Sequence, residues 1–297
     1  MTAPYSAHPH WVRIGSPLLQ AGIDPLGAQL SVLRDGRGRD LLWSGDAAIW
    51  AGRSPLLFPI VGSLAGGHYR LGSRRFALGR HGFARGRMFE LLAADASAAT
   101  FRLVADEDSR TVYPFEFDLR ATYAVQGNSL SVTLRVENTG AIAMPASLGF
   151  HPGLRWPLPH GQERAAHFIQ FDGDEPAPVR RIDAQGLLRP EHEPTPVVDR
   201  RLLLDDALFR DDVLIFDRLR SRSLTYCADG GPRIAMGFPD AAYLGIWTRP
   251  GAPFICIEPW QGITDPAGFD GELHDKPGIV VLAPGASRAL TMVLTLL

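Results

Sequence analysis

The sequence has 297 residues, of which 45% are hydrophobic, and a formal net charge of -2 at pH 7. A chain of this length and apolar content can fill a large core, so we expect a soluble globular protein. Basic and acidic residues are interspersed, which argues against nucleic acids and anionic membranes as partners. The N-terminal segment lacks both a basic start and an apolar run, and nowhere do 18 apolar residues follow one another. A cytoplasmic location is therefore expected.

Apolar and polar residues alternate with a period of two along much of the chain, the pattern of half-buried β-strands. The segments with this pattern are 101–104, 115–125, 130–136, 224–227, 234–238 and 290–296. Glycine turns at Gln126-Gly127-Asn128 and Gly230-Gly231 join two pairs of these segments into hairpins. Short helical turns are predicted only at 106–112 and 205–209. Dense strands without amphipathic helices predict an all-β fold, a large antiparallel β-sandwich formed by a single domain over residues 1–297.

Several less regular features of the sequence also bear on organisation and chemistry. The polar stretch 172–199 contains apolar pairs, and we interpret it as an excursion over the sheet. The two cysteines, Cys227 and Cys256, lie in apolar surroundings without Cys-x-x-Cys spacing, which predicts buried free thiols. The only lysine, Lys276, lies in a polar loop, an unpromising position for Schiff-base or pyridoxal chemistry. We therefore predict neither a cofactor nor a metal site.

A carboxylate and two imidazoles are the candidate reactive groups. Glu258 ends the apolar run 254–257 and is followed at once by Pro259 and Trp260. A buried strand would carry this carboxylate into a cleft, where desolvation is costly unless the group is paired or chemically active. His81 and His151 each lie beside glycine and aromatic residues at the ends of predicted strands. Such a set suits proton transfer.

The other histidines and the nearby tryptophans are less informative. Five histidines have no comparable setting, and we expect them at the surface: His68, His160, His167, His192 and His274. Trp247 and Trp260 fit a core position and a sugar-stacking position equally well, because aromatic rings bury large apolar areas in either place.

Four motifs occur in the order and approximate spacing of the aldose 1-epimerase, or galactose mutarotase-like, family, and the resemblance is greatest to its LacX-like branch. The motifs are 53–62, His81-Gly82-Phe83-Ala84-Arg85, Gly149-Phe150-His151-Pro152 and Cys256-Ile257-Glu258-Pro259-Trp260. The likeness extends from Gly27-Ala28-Gln29-Leu30 to the last predicted strand. It implies a β-supersandwich and cofactor-independent interconversion of sugar anomers.

The resemblance also implies roles for individual residues. Glu258 falls at the position of the general base, His151 at that of the general acid, and His81 at that of a substrate-binding histidine. Arg53 occupies the position of a sugar-contacting arginine. An aspartate that holds sugar hydroxyls must come from the segment 204–215, where four acidic residues compete: Asp205, Asp206, Asp211 and Asp212. We favour Asp212, with Asp206 as the alternative.

This chemistry needs only two proton transfers, one from the anomeric hydroxyl and one to the ring oxygen. We expect Glu258 to begin ionised and His151 protonated, since their proximity favours both charges. Two other functions remain open. A hexose-6-phosphate 1-epimerase could bind phosphate with arginines such as Arg53, Arg80 and Arg85. A carbohydrate-binding or sugar-sensing protein could use the same fold without turnover. The partner is a small-molecule sugar in each case, and monomer and homodimer are both compatible with the sequence.

Overall fold

The computed structural model describes residues 10–297, and their regular structure is almost entirely β. The strands are β1 Val12–Gly15, β2 Leu19–Asp24, β3 Gln29–Asp35, β4 Leu56–Leu57, β5 His68–Leu71, β6 Arg74–Ala77, β7 Glu90–Ala94, β8 Ala98–Val104, β9 Phe117–Gln126, β10 Ser129–Asn138, β11 Met144–Ala146, β12 Leu148–Phe150, β13 Gly153–Arg155, β14 His167–Phe171, β15 Val179–Ile182, β16 Leu188–Glu193, β17 Arg201–Leu203, β18 Leu214–Phe216, β19 Ser223–Ala228, β20 Arg233–Gly237, β21 Tyr243–Trp247, β22 Phe254–Gln261, β23 Val280–Leu282 and β24 Ser287–Leu296.

Two large antiparallel sheets form the body of the molecule. The nine-stranded sheet has the order β17-β14-β19-β20-β24-β10-β9-β8-β7. The eight-stranded sheet has the order β16-β15-β18-β21-β22-β12-β4, and β13 also pairs with β22. The main hydrophobic core contains residues of both sheets, so the sheets pack face to face. The prediction of an all-β antiparallel sandwich is confirmed.

The hairpin of β9 and β10 shows how alternation in the sequence becomes alternation in burial. Strand β10 alternates between partly exposed and buried residues along its whole length. Gln126 pairs with Ser129 across a turn in which Gly127 has a φ of +60°. Glycine adopts this left-handed conformation without a steric cost. Valine and leucine side chains of β10 therefore fill the core, while threonine, serine and arginine remain on the other face.

Strand β22 differs, because all eight of its residues are buried. Ile255 and Ile257 belong to the main core between the sheets. Their neighbours Phe254 and Cys256 pack instead in a cluster with Trp43 on the opposite face. A central strand that is covered on both faces has no need of alternation, which explains the continuous apolar run before Glu258.

Both predicted helical turns are present. A helix α1 covers Glu107–Val112, and Asp106 caps it by accepting a hydrogen bond from the Ser109 amide at 2.7 Å. The second turn is a 3-10 helix at Asp206–Phe209, capped by Asp205. Further short 3-10 helices lie at Ala65–Gly67, Ala84–Gly86, Arg164–Ala166 and Leu273–Asp275. No helix within residues 10–297 is long and apolar enough to cross a membrane.

The structure corrects three interpretations of polar segments. The stretch 172–199 is not an excursion, because β15 and β16 within it form the edge of the eight-stranded sheet. His167 is buried, not at the surface, and its Nε2 accepts a hydrogen bond from the Leu158 amide at 3.1 Å. The side chain of His160 is also shielded and lies 3.7 Å from Asp35. Both cysteines are free and buried, as predicted.

The loop that contains Lys276 is polar, but the side chain of this residue is not in solvent. The residue is only 2% exposed. Its Nζ donates a hydrogen bond to Oδ1 of Asp265 at 2.5 Å. The sequence neighbours His274 and Asp275 are exposed, so the local sequence did not indicate that Lys276 has a buried partner.

Candidate active site

A cavity of about 240 Å³ opens on the face of the eight-stranded sheet that is turned away from the nine-stranded sheet. Four adjacent strands, β15, β18, β21 and β22, contribute Ile182, Ile215, Trp247 and Glu258 to its floor. Loops supply the remaining residues of the lining: Trp50, Gly62, Arg80, His81, Arg85, His151, Gly186, Asp212, Val213, Arg249 and Thr264, with Trp260 from β22. Four of the five predicted site residues therefore meet in one cavity.

Glu258 lies in the central strand β22, and only 2% of it is exposed. No hydrogen-bond partner for its Oε2 lies among the described residues. Burial, and after it the negative charge of Asp212, raises the pKa of Glu258 well above its ordinary value of 4.5. A deeply buried carboxyl group with a raised pKa that lines a cavity is typical of functional sites.

His151 is brought beside Glu258 by an interruption between two short strands. Strand β12 pairs with β22 at Gly149 opposite Trp260, and β13 pairs with it again at Gly153 opposite Cys256. The residues between these two pairings pass directly beside Glu258. Nε2 of His151 lies 3.3 Å from Oε2 of Glu258.

The protonation of this pair differs from the expectation of two opposite charges. Burial lowers the pKa of His151 from 6.5 to about 3, and the positive charges of Arg85 and Arg80 act in the same direction. Burial raises the pKa of Glu258. Burial therefore favours the neutral form of each group, in which the pair carries one proton, on Glu258. Interacting groups this close titrate as a unit.

Aromatic rings enclose the imidazole of His151. Trp50 stacks on it with a centroid distance of 5.0 Å, and Trp247 meets it edge-on at 5.9 Å. The sequence did not single out Trp50, which lies in a loop without any motif. Trp247 and Trp260 both line the cavity, and Nε1 of Trp260 is buried without a hydrogen-bond partner among the described residues.

His81 lies on the other side of His151, with ring centroids 5.6 Å apart. It has a φ of +67°, and the next residue, Gly82, has a φ of +71°. A Cβ at Gly82 would lie 2.2 Å from the carbonyl oxygen of Phe58, so only glycine fits there. The Gly62 amide donates a hydrogen bond to Nδ1 of His81 at 3.1 Å. This bond assigns the proton of the neutral ring to Nε2.

The charge state of His81 follows from its surroundings. Burial, then the nearby His151, Arg85 and Arg80, lower the pKa of His81 well below 6.5. The ring is therefore neutral at physiological pH and carries one donor, Nε2–H, which suits a hydroxyl acceptor.

Of the four competing aspartates, Asp212 alone lines the cavity. It is exposed at the cavity edge with a φ of +65°, and its Oδ1 accepts a hydrogen bond from the Val213 amide at 2.8 Å. The alternative, Asp206, is engaged elsewhere by Arg164 at 2.6 Å and by the Gly251 amide at 3.0 Å.

Arg53 is the predicted site residue that the structure does not bring to the cavity. Its Nη1 donates to the carbonyl oxygen of Ser31 at 2.9 Å, and its guanidinium lies 5.1 Å from the ring of Trp11. Three other arginines, Arg80, Arg85 and Arg249, line the cavity instead. Within residues 10–297, no carboxylate lies within ion-pair distance of these three guanidinium groups.

One group in the described part of the chain could offer ligands to a metal ion. The ligand atoms of His151, Cys256 and Glu258 lie within 4.8 Å of one another. A metal would require the thiolate form of the cysteine. Burial, and then Glu258, raises the pKa of Cys256 well above its ordinary value of 9.0, which opposes that form.

Comparisons with known proteins identify the family of the chain. The family described as aldose 1-epimerase matches residues 11–295. The plasmid-encoded protein LacX of Lactococcus lactis subsp. lactis is 31% identical over 283 residues, which cover 92% of this chain and 95% of that protein.

Solved structures resemble the chain over nearly its whole length. A galactose mutarotase related enzyme from Lactobacillus acidophilus has a TM-score of 0.89 and 29% identity, and the match covers 97% of both chains. A galactose mutarotase-like protein from Lactobacillus casei has a TM-score of 0.89 and 28% identity, covering 97% of this chain and all of that one.

Proposed function

The chain belongs to the aldose 1-epimerase family, and we propose that it interconverts the α and β anomers of an aldohexose without a cofactor. The observation that carries this proposal is the buried pair of Glu258 and His151, whose Oε2 and Nε2 are 3.3 Å apart in a cavity that also contains His81 and Asp212. An acid and a base in contact at one site are the two groups that ring opening requires.

The proton count of the pair fits the reaction. In the form that burial favours, the pair holds one proton, which can pass between Glu258 and His151 over the 3.3 Å that separates Oε2 from Nε2. Glu258 as carboxylate then takes the proton of the anomeric hydroxyl, while His151 gives its proton to the ring oxygen as the bond from C1 to that oxygen breaks. Each positioned acid or base contributes about 10²–10⁴-fold to the rate.

The open-chain sugar then turns about its C1–C2 bond and closes on the other face of the aldehyde. Closure reverses both transfers, with His151 as base and Glu258 as acid, so the pair ends in its starting state. His81 and Asp212 bind sugar hydroxyls in this proposal, one as an Nε2–H donor and the other as a carboxylate acceptor. Trp50 and Trp247 line the cavity and supply aromatic surface against which a sugar ring can pack.

Polarimetry on freshly dissolved glucose and galactose tests the proposal. The protein is expected to accelerate the change of optical rotation in proportion to its concentration, with His192→Asn, a change at an exposed histidine, as a control that keeps full activity. A protein that binds these sugars with no acceleration would instead be a carbohydrate-binding or sugar-sensing protein, and the proposal would be wrong.

A hexose 6-phosphate is the second candidate substrate, and it is favoured by the guanidinium groups of Arg80, Arg85 and Arg249, which have no carboxylate partner among the described residues. Guanidinium groups bind phosphate oxygens in a bidentate manner. If a phosphate is bound there, kcat/KM for glucose 6-phosphate exceeds that for glucose, and Arg249→Gln removes the difference. Equal values for the two sugars in wild type would leave the free aldose as the substrate.

A further inference from the structure

We propose that the buried ion pair of Lys276 and Asp265 positions His81 for sugar binding, through hydrogen bonds to the backbone of residues 62–65. The inference rests on the proposed function insofar as it gives His81 a sugar to bind, but the arrangement of the ring can be measured without any turnover. Neither member of the ion pair touches the proposed substrate, so both would be positioning residues.

The pair is sealed from solvent. The side chain of Lys276 has no exposed surface and that of Asp265 is 2% exposed. Burial lowers the pKa of Lys276, and the carboxylate of Asp265 opposes that shift. Two buried charges of this kind are costly to desolvate, and replacement by apolar residues is often neutral or stabilising. The pair therefore needs a reason other than stability, and the backbone hydrogen bond that the Asp265 carboxylate accepts supplies one.

Asp265 forms hydrogen bonds with one short segment of backbone, residues 63–65. Its Oδ2 accepts a hydrogen bond from the Ala65 amide at 2.9 Å, while its own amide donates to the carbonyl oxygen of Ser63 at 3.0 Å. The preceding residue binds the same segment, because Oγ1 of Thr264 accepts a hydrogen bond from the Ser63 amide at 2.9 Å. Residues 264 and 265 thus bind the backbone at Ser63 and Ala65. Lys276 donates a hydrogen bond to Oδ1 of the same carboxylate.

The segment in turn fixes His81. The Gly62 amide donates to Nδ1 of His81 at 3.1 Å, and the His81 amide donates to the carbonyl oxygen of Gly62 at 2.8 Å. Gly62 has a φ of +75°, and a Cβ there would lie 2.2 Å from Cβ of Thr264. This close approach leaves little freedom between Thr264 and the glycine, so displacement at residue 265 would reach the ring of His81.

The same segment also orients a positive group of the cavity. Oγ of Ser63 accepts a hydrogen bond from Nε of Arg80 at 2.9 Å. Burial lowers the pKa of His81 most, and the charges of Arg85, Arg80 and Lys276 act in the same direction. Geometry and charge therefore act together: the Gly62 amide selects the Nε2–H tautomer, and the surrounding positive charges keep the ring neutral.

The ring nitrogens of His81 report this arrangement directly. Nitrogen-15 NMR of the wild type, assigned with His81→Asn, should show a neutral Nε2–H ring at pH 7. In Lys276→Met the Asp265 carboxylate loses its partner, so we expect a mixture of tautomers or a protonated ring. We also expect KM for the sugar to rise roughly fivefold, the effect of one weakened hydrogen bond, with kcat changed less than twofold.

Glu175→Gln is a matched control. Glu175 is also a buried carboxyl group, 3% exposed, and it accepts a backbone hydrogen bond from the Ser221 amide at 2.6 Å, but it does not line the cavity. Its loss should lower stability and leave the His81 signals and KM as in wild type.

A double variant covers the case in which Lys276→Met does not fold. Asp265→Leu with Lys276→Met replaces both charges by apolar groups of similar size and removes the acceptor of the Ala65 amide. We expect it to fold and to show the same change at His81. Either folded variant with the same His81 ring signals and the same KM as wild type would overturn the proposal. So would an unmodified protein in which His81 is not a single Nε2–H tautomer. Loss of the proposed function, by contrast, would appear as absent turnover with these ring signals intact.

Discussion

Nε2 of His151 and Oε2 of Glu258 lie 3.3 Å apart, although both side chains are almost completely shielded from solvent. Two strands that pair with the same side of β22 hold the imidazole there. Because burial disfavours the charged form of each group, the pair binds one proton over a wide range of pH. The single proton of the pair therefore determines how activity and stability should depend on pH.

The first prediction is a broad pH plateau in kcat/KM. The pair gains a second proton only near the lowered pKa of His151, about 3, and loses its only proton above a pKa that is raised well beyond 4.5. We therefore expect kcat/KM to stay level through the ordinary carboxyl range near 4.5 and to fall on the acid side only toward about pH 3. An acid limb with its midpoint near the ordinary carboxyl value would show that Glu258 and His151 titrate as separate, solvated groups.

The second prediction separates the two histidines by their kinetic signatures. His151 acts on charge that develops at the ring oxygen, whereas His81 contacts the sugar in the ground state and the transition state alike. His151→Asn should therefore lower kcat by at least about 100-fold with little change in KM. His81→Asn should raise KM at least as strongly as it lowers kcat. If His81→Asn instead lowered kcat with little change in KM and His151→Asn mainly raised KM, His81 would be the acid and His151 the binding residue.

The third prediction concerns the stability of Glu258→Gln. The pKa of Glu258 is raised in the folded state, so between its ordinary and raised values the folded protein keeps a proton that the unfolded chain has lost. Wild-type stability then falls as pH rises, by up to about 1.4 kcal/mol per pH unit. Glutamine has no such proton, so the variant should gain free energy of unfolding relative to wild type as the pH rises above the ordinary carboxyl value of 4.5.

The opposite sign is expected at His151, which provides a check on the third prediction. Its pKa is lowered in the folded state, so wild-type stability is lost as pH falls below the ordinary histidine value of 6.5. His151→Asn should therefore gain relative to wild type toward acid pH. Urea unfolding of the wild type and both variants across pH measures these differences. Differences that do not change with pH would mean that the two groups are not buried as described.

Much of the fold could be predicted because its strands are regular. Alternation at 130–136 and the continuous apolar run before Glu258 reflect one-sided and two-sided burial, and each leaves its own pattern in the sequence. The meeting of Glu258, His151 and His81 was suggested by short motifs. Proline marks the end of a strand beside His151, but Pro259 lies within β22, so Glu258 is inside its strand and not at the end that the sequence suggested.

The remaining features depend on contacts that no local pattern encodes. Trp50 belongs to an irregular loop, and contacts with residues distant in sequence, Phe254 and Trp247, help to place it over His151. Lys276 has polar neighbours in the sequence, yet its side chain turns inward to Asp265. The proton position in the pair could not be predicted either, because the motif indicates proximity but not the depth of burial.

The fourth prediction is that activity does not need a metal ion. His151, Cys256 and Glu258 could together offer ligands, so Cys256→Ala removes one of them without touching the acid or the base. We expect this variant to keep kcat within a few-fold of wild type and the wild type to keep full activity in EDTA. Loss of activity in EDTA that is restored by a divalent ion, together with an inactive Cys256→Ala, would overturn the cofactor-free mechanism.

The central claim is that Glu258 transfers the proton by which anomers interconvert, and exchange NMR on an equilibrated aldose tests it most directly. Wild type should produce exchange cross-peaks between the α and β anomeric protons. Glu258→Gln, which keeps the shape of the side chain but cannot act as a base, should reduce the exchange rate by at least about 100-fold while sugar binding weakens only modestly. Glu175→Gln should leave the rate unchanged. A near wild-type exchange rate in a folded Glu258→Gln variant would contradict the account and require another base.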